Sequence, residues 1–224
     1  CGSLHLAHHE DEMAVLEEFH NKSAELGYDC AVLNKNQTIQ RSAATNPSGL
    51  KGSLWSPTEL CVDPRQALCD LPDWLAKAHS INFQFKTLVT QIENKTLRDS
   101  SGRSWVADRI LVCSGADFQT LFPGLYSASP MTLCKLQMMA TEAQPDNWRT
   151  GPHLASGLTL GHYSNFEICA SLKAVKERFQ NENPLFDRYG IHVMISQGSD
   201  GSVILGDSHE YDDDIDPFRK SDID

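Results

Sequence analysis

The chain has no CxxC pair among its seven cysteines, no G-x-S-x-G elbow and no apolar run of membrane-spanning length. The missing CxxC spacing removes the usual zinc and dithiol signatures, and an odd cysteine total argues against a closed disulfide framework. Without the elbow, or a cysteine opening a helix, nothing marks a hydrolytic nucleophile; Cys113 and Cys134 qualify by residue type alone. Without a spanning run or a signal peptide, no membrane partner and no secretion are expected. Basic charge is scarce as well: the net charge of -11 excludes nucleic acid as a partner. Reduced thiols in apolar contexts fit a cytoplasmic protein, where the sequons at Asn21, Asn36 and Asn94 carry no meaning.

What is present suits a globular domain, with 40% hydrophobic residues to build a core. Acid collects at the end, in Asp207, Glu210, Asp212, Asp213, Asp214, Asp216, Asp222 and Asp224. The run lacks the alternation and glycine of a calcium loop and is expected to be solvated. The cluster His5, His8, His9, Glu10 and Glu12 straddles a strand and a helix start, so acids favouring the helix dipole explain it better than a metal does. No metal site is expected. The chain opens on Cys1 rather than Met and closes at Asp224 without a structural stop, as a piece of a longer protein does.

Periodicity predicts a short strand over residues 4–7 and a helix over 10–26, with Met13, Leu16, Phe19 and Leu26 on one face and Gly27 as its stop. Residues 28–62 are expected to form short strands and loops. A second helix starts at Asp63-Pro64, carries Leu68, Leu71, Leu75 and Ala78 as its apolar stripe, and is kinked by Pro72. A β-meander follows over 81–85, 87–93, 95–99 and 105–113, then one helical turn over 117–121. The segment 154–160 is expected as a strand. Residues 167–179 form a helix with Ile168, Leu172, Val175 and Phe179 in register. A hairpin spans 190–197 and 202–208. These elements make an α+β chain.

Two places invite a ligand. The strand Ile110-Leu111-Val112-Cys113 runs into Ser114-Gly115-Ala116, small residues that let another body approach the backbone. In open α/β sheets ligands sit at such carboxyl ends. In the hairpin, a two-residue turn sets Val203, Leu205, Asp207 and His209 on the face of His192, opposite an aliphatic face of Ile191, Val193 and Ile195. The mixed face suits a pocket with a few polar anchors.

The order of the segments GSLHLA, WSPTELCVDPRQAL, FKTLVTQIEN, WVADRILVCSGAD and DGSVILGDSHEY resembles FAD-dependent amine and amino-acid oxidases, the D-amino-acid oxidase, glycine oxidase and sarcosine oxidase family. GSLHLA, LTLGHYSNF and GDSHEY look like a bacterial subgroup associated with aminophosphonate breakdown. The resemblance implies a fragment of an α/β flavoprotein. Residues 1–80 would be a substrate-domain segment with connecting helices. Residues 81–123 would be a meander and returning strand of the FAD-binding domain, and 124–224 a substrate-binding domain with a mixed or antiparallel sheet. It implies FAD contacts at Val89, Ser114, Gly115 and Ala116, and substrate contacts at His192, His209, Tyr163 and His162. It implies oxidation of a C–N bond in a small amine, amino acid or aminophosphonate, with no obligatory acid–base pair. A non-catalytic binding module derived from that fold, or a flavoenzyme acting on a C–O bond, are the alternatives. The G-x-G-x-x-G loop that holds the pyrophosphate is absent, so the isolated chain is expected to bind no FAD and to be inactive.

Overall fold

A computed structural model describes residues 1–212 and 215–224; Asp213 and Asp214 of the acidic run lie outside the described residues. In chain order the elements begin with β1 (Ser3–Ala7), α1 (Glu10–Ser23), β2 (Ala31–Asn34), α2 (Lys35–Arg41), β3 (Gly52–Ser56) and α3 (Pro64–His79). There follow β4 (Val89–Glu93), β5 (Thr96–Asp99), β6 (Ser104–Val106), α4 (Pro123–Ser127), β7 (Leu133–Lys135), β8 (Met139–Ala143) and β9 (His153–Ala155). The last are α5 (Leu158–His162), α6 (Leu172–Glu182), α7 (Pro184–Arg188), β10 (Met194–Gln197), β11 (Ser202–Gly206) and β12 (Glu210–Asp212). The chain forms two compact units: Cys1–Asp63 with Cys134–Glu210 and Asp216–Asp224, and Pro64–Leu133 with Tyr211–Ile215.

The first unit is built on a mixed seven-stranded sheet in the order β2-β3-β1-β9-β10-β11-β8. β1 lies at its centre, antiparallel to β3 and parallel to β9. Its alternation sorts the two sides: Leu4 and Leu6 join Leu33, Leu50 and Leu154 in one cluster, while Ala7 joins Val15, Leu16, Phe19, Leu160 and Val175 in the other. α1 and α6 cover that second side. α1 ends at Ser23, earlier than expected, and leaves Leu26 exposed. Glu12 is not a solvated acid of the helix start: its buried carboxylate accepts the backbone N–H groups of His8 and His9 at 2.8 and 3.2 Å.

Four further expectations need correcting. The helix Lys35–Arg41 arises where loops and strands were expected, with Asn34 accepting the Gln37 N–H as its cap. The segment 154–160 is a strand only to Ala155; Leu158–His162 is helical, started by Thr159 and Leu160 bonding back to Ser156 and Gly157. The helix expected from residue 167 begins at Leu172, after a 3-10 turn over Ser164–Ile168 that leaves Ile168 exposed. In the hairpin, Gln197 pairs with Val203 and Met194 with Gly206, so the turn holds one residue more than a two-residue type. Val203 and Leu205 therefore fall on the face of Ile195 rather than that of His192.

The second unit holds a three-stranded antiparallel sheet, β4-β5-β6, and α3. Asp99 is buried in the β5–β6 turn, where it accepts N–H groups of Ser101 and Arg103 and the Arg103 guanidinium. The expected strand over 105–113 stops at Val106, and residues 81–85 form no strand. Among the described residues no strand pairs with residues 110–113, and Leu111 is 91% exposed. No residue of α3 is buried. No helix among the described residues is long and apolar enough to cross a membrane.

Candidate functional site

In the first unit three histidines from separate segments meet. His162 ends α5, His192 precedes β10, and His209 lies between β11 and β12. The Ser156 N–H donates to the Val193 carbonyl at 2.9 Å, tying the start of α5 to the segment of His192. Beyond the hairpin's regular register the pairing slips by one residue: His192 and Asp207 exchange backbone hydrogen bonds at 3.1 and 2.7 Å. That slip acts as a bulge and sets Asp207 beside His192 despite the longer turn. The His209 N–H then donates to the Tyr189 carbonyl at 2.7 Å.

The rings lie close. Centroids of His162 and His192 are 4.0 Å apart, those of His162 and His209 4.5 Å, and those of His192 and His209 4.9 Å. Tyr163 stands edge-on to His162 at 5.2 Å and to His192 at 5.8 Å, its hydroxyl 3.4 Å from the Met194 sulfur. His192 is 3% exposed, and its Nε2 lies 3.1 Å from Asp207 Oδ1, yet among the described residues neither ring nitrogen makes a directed hydrogen bond.

Burial, with the neighbouring His162 and His209, pushes the His192 pKa down to about 4 against the pull of Asp207. Burial and His209 also lower His162, while burial and the Asp207 and Glu59 carboxylates raise the Tyr163 phenol. At neutral pH the His162 and His192 imidazoles are therefore neutral and the Tyr163 phenol is protonated. His162 also lines a cleft of about 390 Å3 with Leu158, Phe179, Phe186 and Ile191. Apart from His162, the cleft residues on α5 and α7 were not foreseen, because neither helix was.

The other expected contacts belong to the second unit. Val89 opens β4 and pairs with Asp99. Ser114, Gly115 and Ala116 form a tight turn, closed by Asp117 N–H to Ser114 O at 3.2 Å and Phe118 N–H to Ala116 O at 3.1 Å. Gly115 takes φ +61, a left-handed conformation, and a Cβ there would meet nothing within 4 Å. A glycine-rich phosphate loop is not among the residues of this chain.

No protein of curated function matches the chain at a significant level. Among solved structures it is similar to L-proline dehydrogenase from P. horikoshii, at TM-score 0.70 and 16% identity over 99% of this chain and 52% of that one. It is similar to glycine oxidase from Geobacillus kaustophilus, at TM-score 0.65 and 14% identity over 99% and 50% of the two chains. It is also similar to L-alpha-glycerophosphate oxidase from Mycoplasma pneumoniae, solved with FAD bound, at TM-score 0.59 and 14% identity over 99% and 53%. The chain thus spans about half the length of the structures it matches. The family model described as FAD dependent oxidoreductase matches residues 1–224 throughout, and the chain belongs to that family.

Proposed function

We propose that the full protein oxidises a C–N bond in a small amine, amino acid or aminophosphonate, in the cytoplasm. His162, Tyr163, His192 and His209 would line its substrate pocket, and Val89, Ser114, Gly115 and Ala116 would touch the edge of FAD. The observation that carries this reading is the cluster of three imidazoles with Asp207, set beside a cleft that joins Leu158, Phe179, Phe186 and Ile191 to Lys176, Gln180 and Asp187. FAD, when bound, supplies the acceptor for a hydride.

The chain's own residues prepare the amine. A nitrogen lone pair is needed for the neighbouring carbon to release hydride, so the reactive form is the unprotonated amine. The burial that keeps His192 neutral also penalises an ammonium beside it, and the imidazole lone pairs accept N–H groups from the neutral amine. Tyr163, held protonated, donates to an anionic head group. Phe179, Phe186 and Ile191 would give the substrate apolar surface in a cleft that Lys176, Gln180 and Asp187 also line.

Anaerobic mixing of the full-length flavoprotein with amines, amino acids, aminophosphonates and hydroxy compounds tests the reading. Bleaching of the flavin by an amine supports it. Bleaching by glycerol phosphate alone moves the protein to C–O oxidation, and no bleaching by any of them favours a binding module. Replacing His209 with alanine in the full protein should lower turnover; unchanged kinetics would remove it from the pocket.

A further inference from the structure

We propose that His162, His192 and His209 form a binding site for a borderline divalent cation such as Zn2+, with Asp207 supporting His192. One donor atom from each imidazole lies within 4.8 Å of the others. The inference rests on this donor set and not on the flavin chemistry.

Four observations point to a cation. First, the ligand type is right: imidazole suits zinc, copper, nickel and iron, whereas calcium and magnesium demand oxygen-rich sites. Second, His192 is buried, and among the described residues its Nδ1 has no hydrogen-bond partner, a state that costs free energy unless something occupies the lone pair. Third, the surroundings resemble an outer ligand shell. Asp207 Oδ1 stands 3.1 Å from His192 Nε2, and the His209 Nδ1 lies 3.2 Å from the Gly190 carbonyl, which fixes its ring. Fourth, His162 is exposed and lines the 390 Å3 cleft, leaving an entry path and room for a further ligand.

The rings are partly stacked, so binding requires them to turn their edges inward. Zn–N bonds of about 2.0–2.1 Å put tetrahedral donors roughly 3.4 Å apart. The donors must therefore draw in by up to about 1.4 Å, a movement that rotation of the exposed His162 can begin. Such an ion would sit at the wall proposed to receive the amine, making divalent metal a competitor or a bridge for the substrate.

The test is titration of metal-stripped full-length protein with Co2+, followed by its visible d–d absorption, with Zn2+ added in competition. One equivalent should give the intense bands of a four- or five-coordinate site, abolished by Zn2+. His162→Ala, at an exposed position, should weaken Co2+ binding at least 100-fold, and Asp207→Asn about 10–100-fold. A featureless spectrum, or binding unchanged by His162→Ala, would overturn the site. Binding lost instead in Cys1→Ser or Cys61→Ser would also overturn it, placing the ion at Cys1, Cys61 and His153. Flavin bleaching by amines in the metal-stripped protein reports on the oxidase reading separately, so either proposal can fail alone.

Discussion

Glu12 and Arg178 show how far one buried charge shapes its surroundings. Arg178 donates to Glu12 Oε1 at 2.7 Å and to Asp11 Oδ2 at 2.8 Å, while a Cβ on Gly157 would lie 2.2 Å from the Glu12 carboxylate. Glycine at 157 thus leaves the space this carboxylate fills. Removing Arg178 strands a nearly buried charge, and Arg178→Met should cost about 3 kcal/mol in urea denaturation. Breaking the exposed Lys173–Glu177 pair by Lys173→Met should change nothing measurable.

His5 offers a second test at this scale. It is partly buried with its ring 5.4 Å from that of Phe166, and burial holds its pKa at about 4, below the usual 6.5. The unfolded chain binds the extra proton more readily, so stability is full above pH 6.5 and falls as pH drops toward 4. Each pH unit in that window removes up to about 1.4 kcal/mol through this group. His5→Gln should flatten that part of the stability profile; an unchanged slope would assign the acid sensitivity to other groups.

At the scale of elements, period and turn length decided what could be foreseen. β1 and α1 follow from alternation and from an apolar stripe, and both are present. The segment 154–160 misled because Leu158 and Leu160 alternate like a strand, while the hydrogen bond from the Thr159 N–H to Ser156 O turns them into helix. The hairpin was legible as a hairpin, but its parity hung on one turn residue. Gly201 sits at φ +86, and a Cβ there would come within 3.3 Å of Arg149 Nη1 and 3.6 Å of Ala143 Cβ. Gly201→Ala should therefore destabilise by about 1 kcal/mol and lower the melting temperature by a few degrees. A neutral effect would mean that the turn tolerates a side chain in its left-handed position. The histidine cluster was legible only in part. Parity for a two-residue turn set Asp207 and His209 on the face of His192; the observed turn breaks that parity, and both residues follow a one-residue slip that no local signal announces.

For the whole molecule, the first unit closes two apolar clusters over its sheet, while the second leaves several large apolar residues exposed. Leu68, Val106 and Leu111 are 71%, 80% and 91% exposed, and the α3 stripe expected from the sequence has nothing of its own unit to bury it. The chain also spans about half the length of its solved neighbours. FAD carries a pyrophosphate that flavoproteins of this kind hold at a glycine-rich turn and helix start. No such glycine-rich loop is among residues 1–224, and the turn at Ser114, Gly115 and Ala116 alone would offer the phosphates few donors. Residues 1–224 purified alone and incubated with FAD should therefore leave a desalting column without flavin absorbance, and should bind the apolar dye ANS strongly. A stoichiometric flavin spectrum would mean that this half of the fold holds the cofactor by itself, and that the phosphates find donors other than a glycine loop.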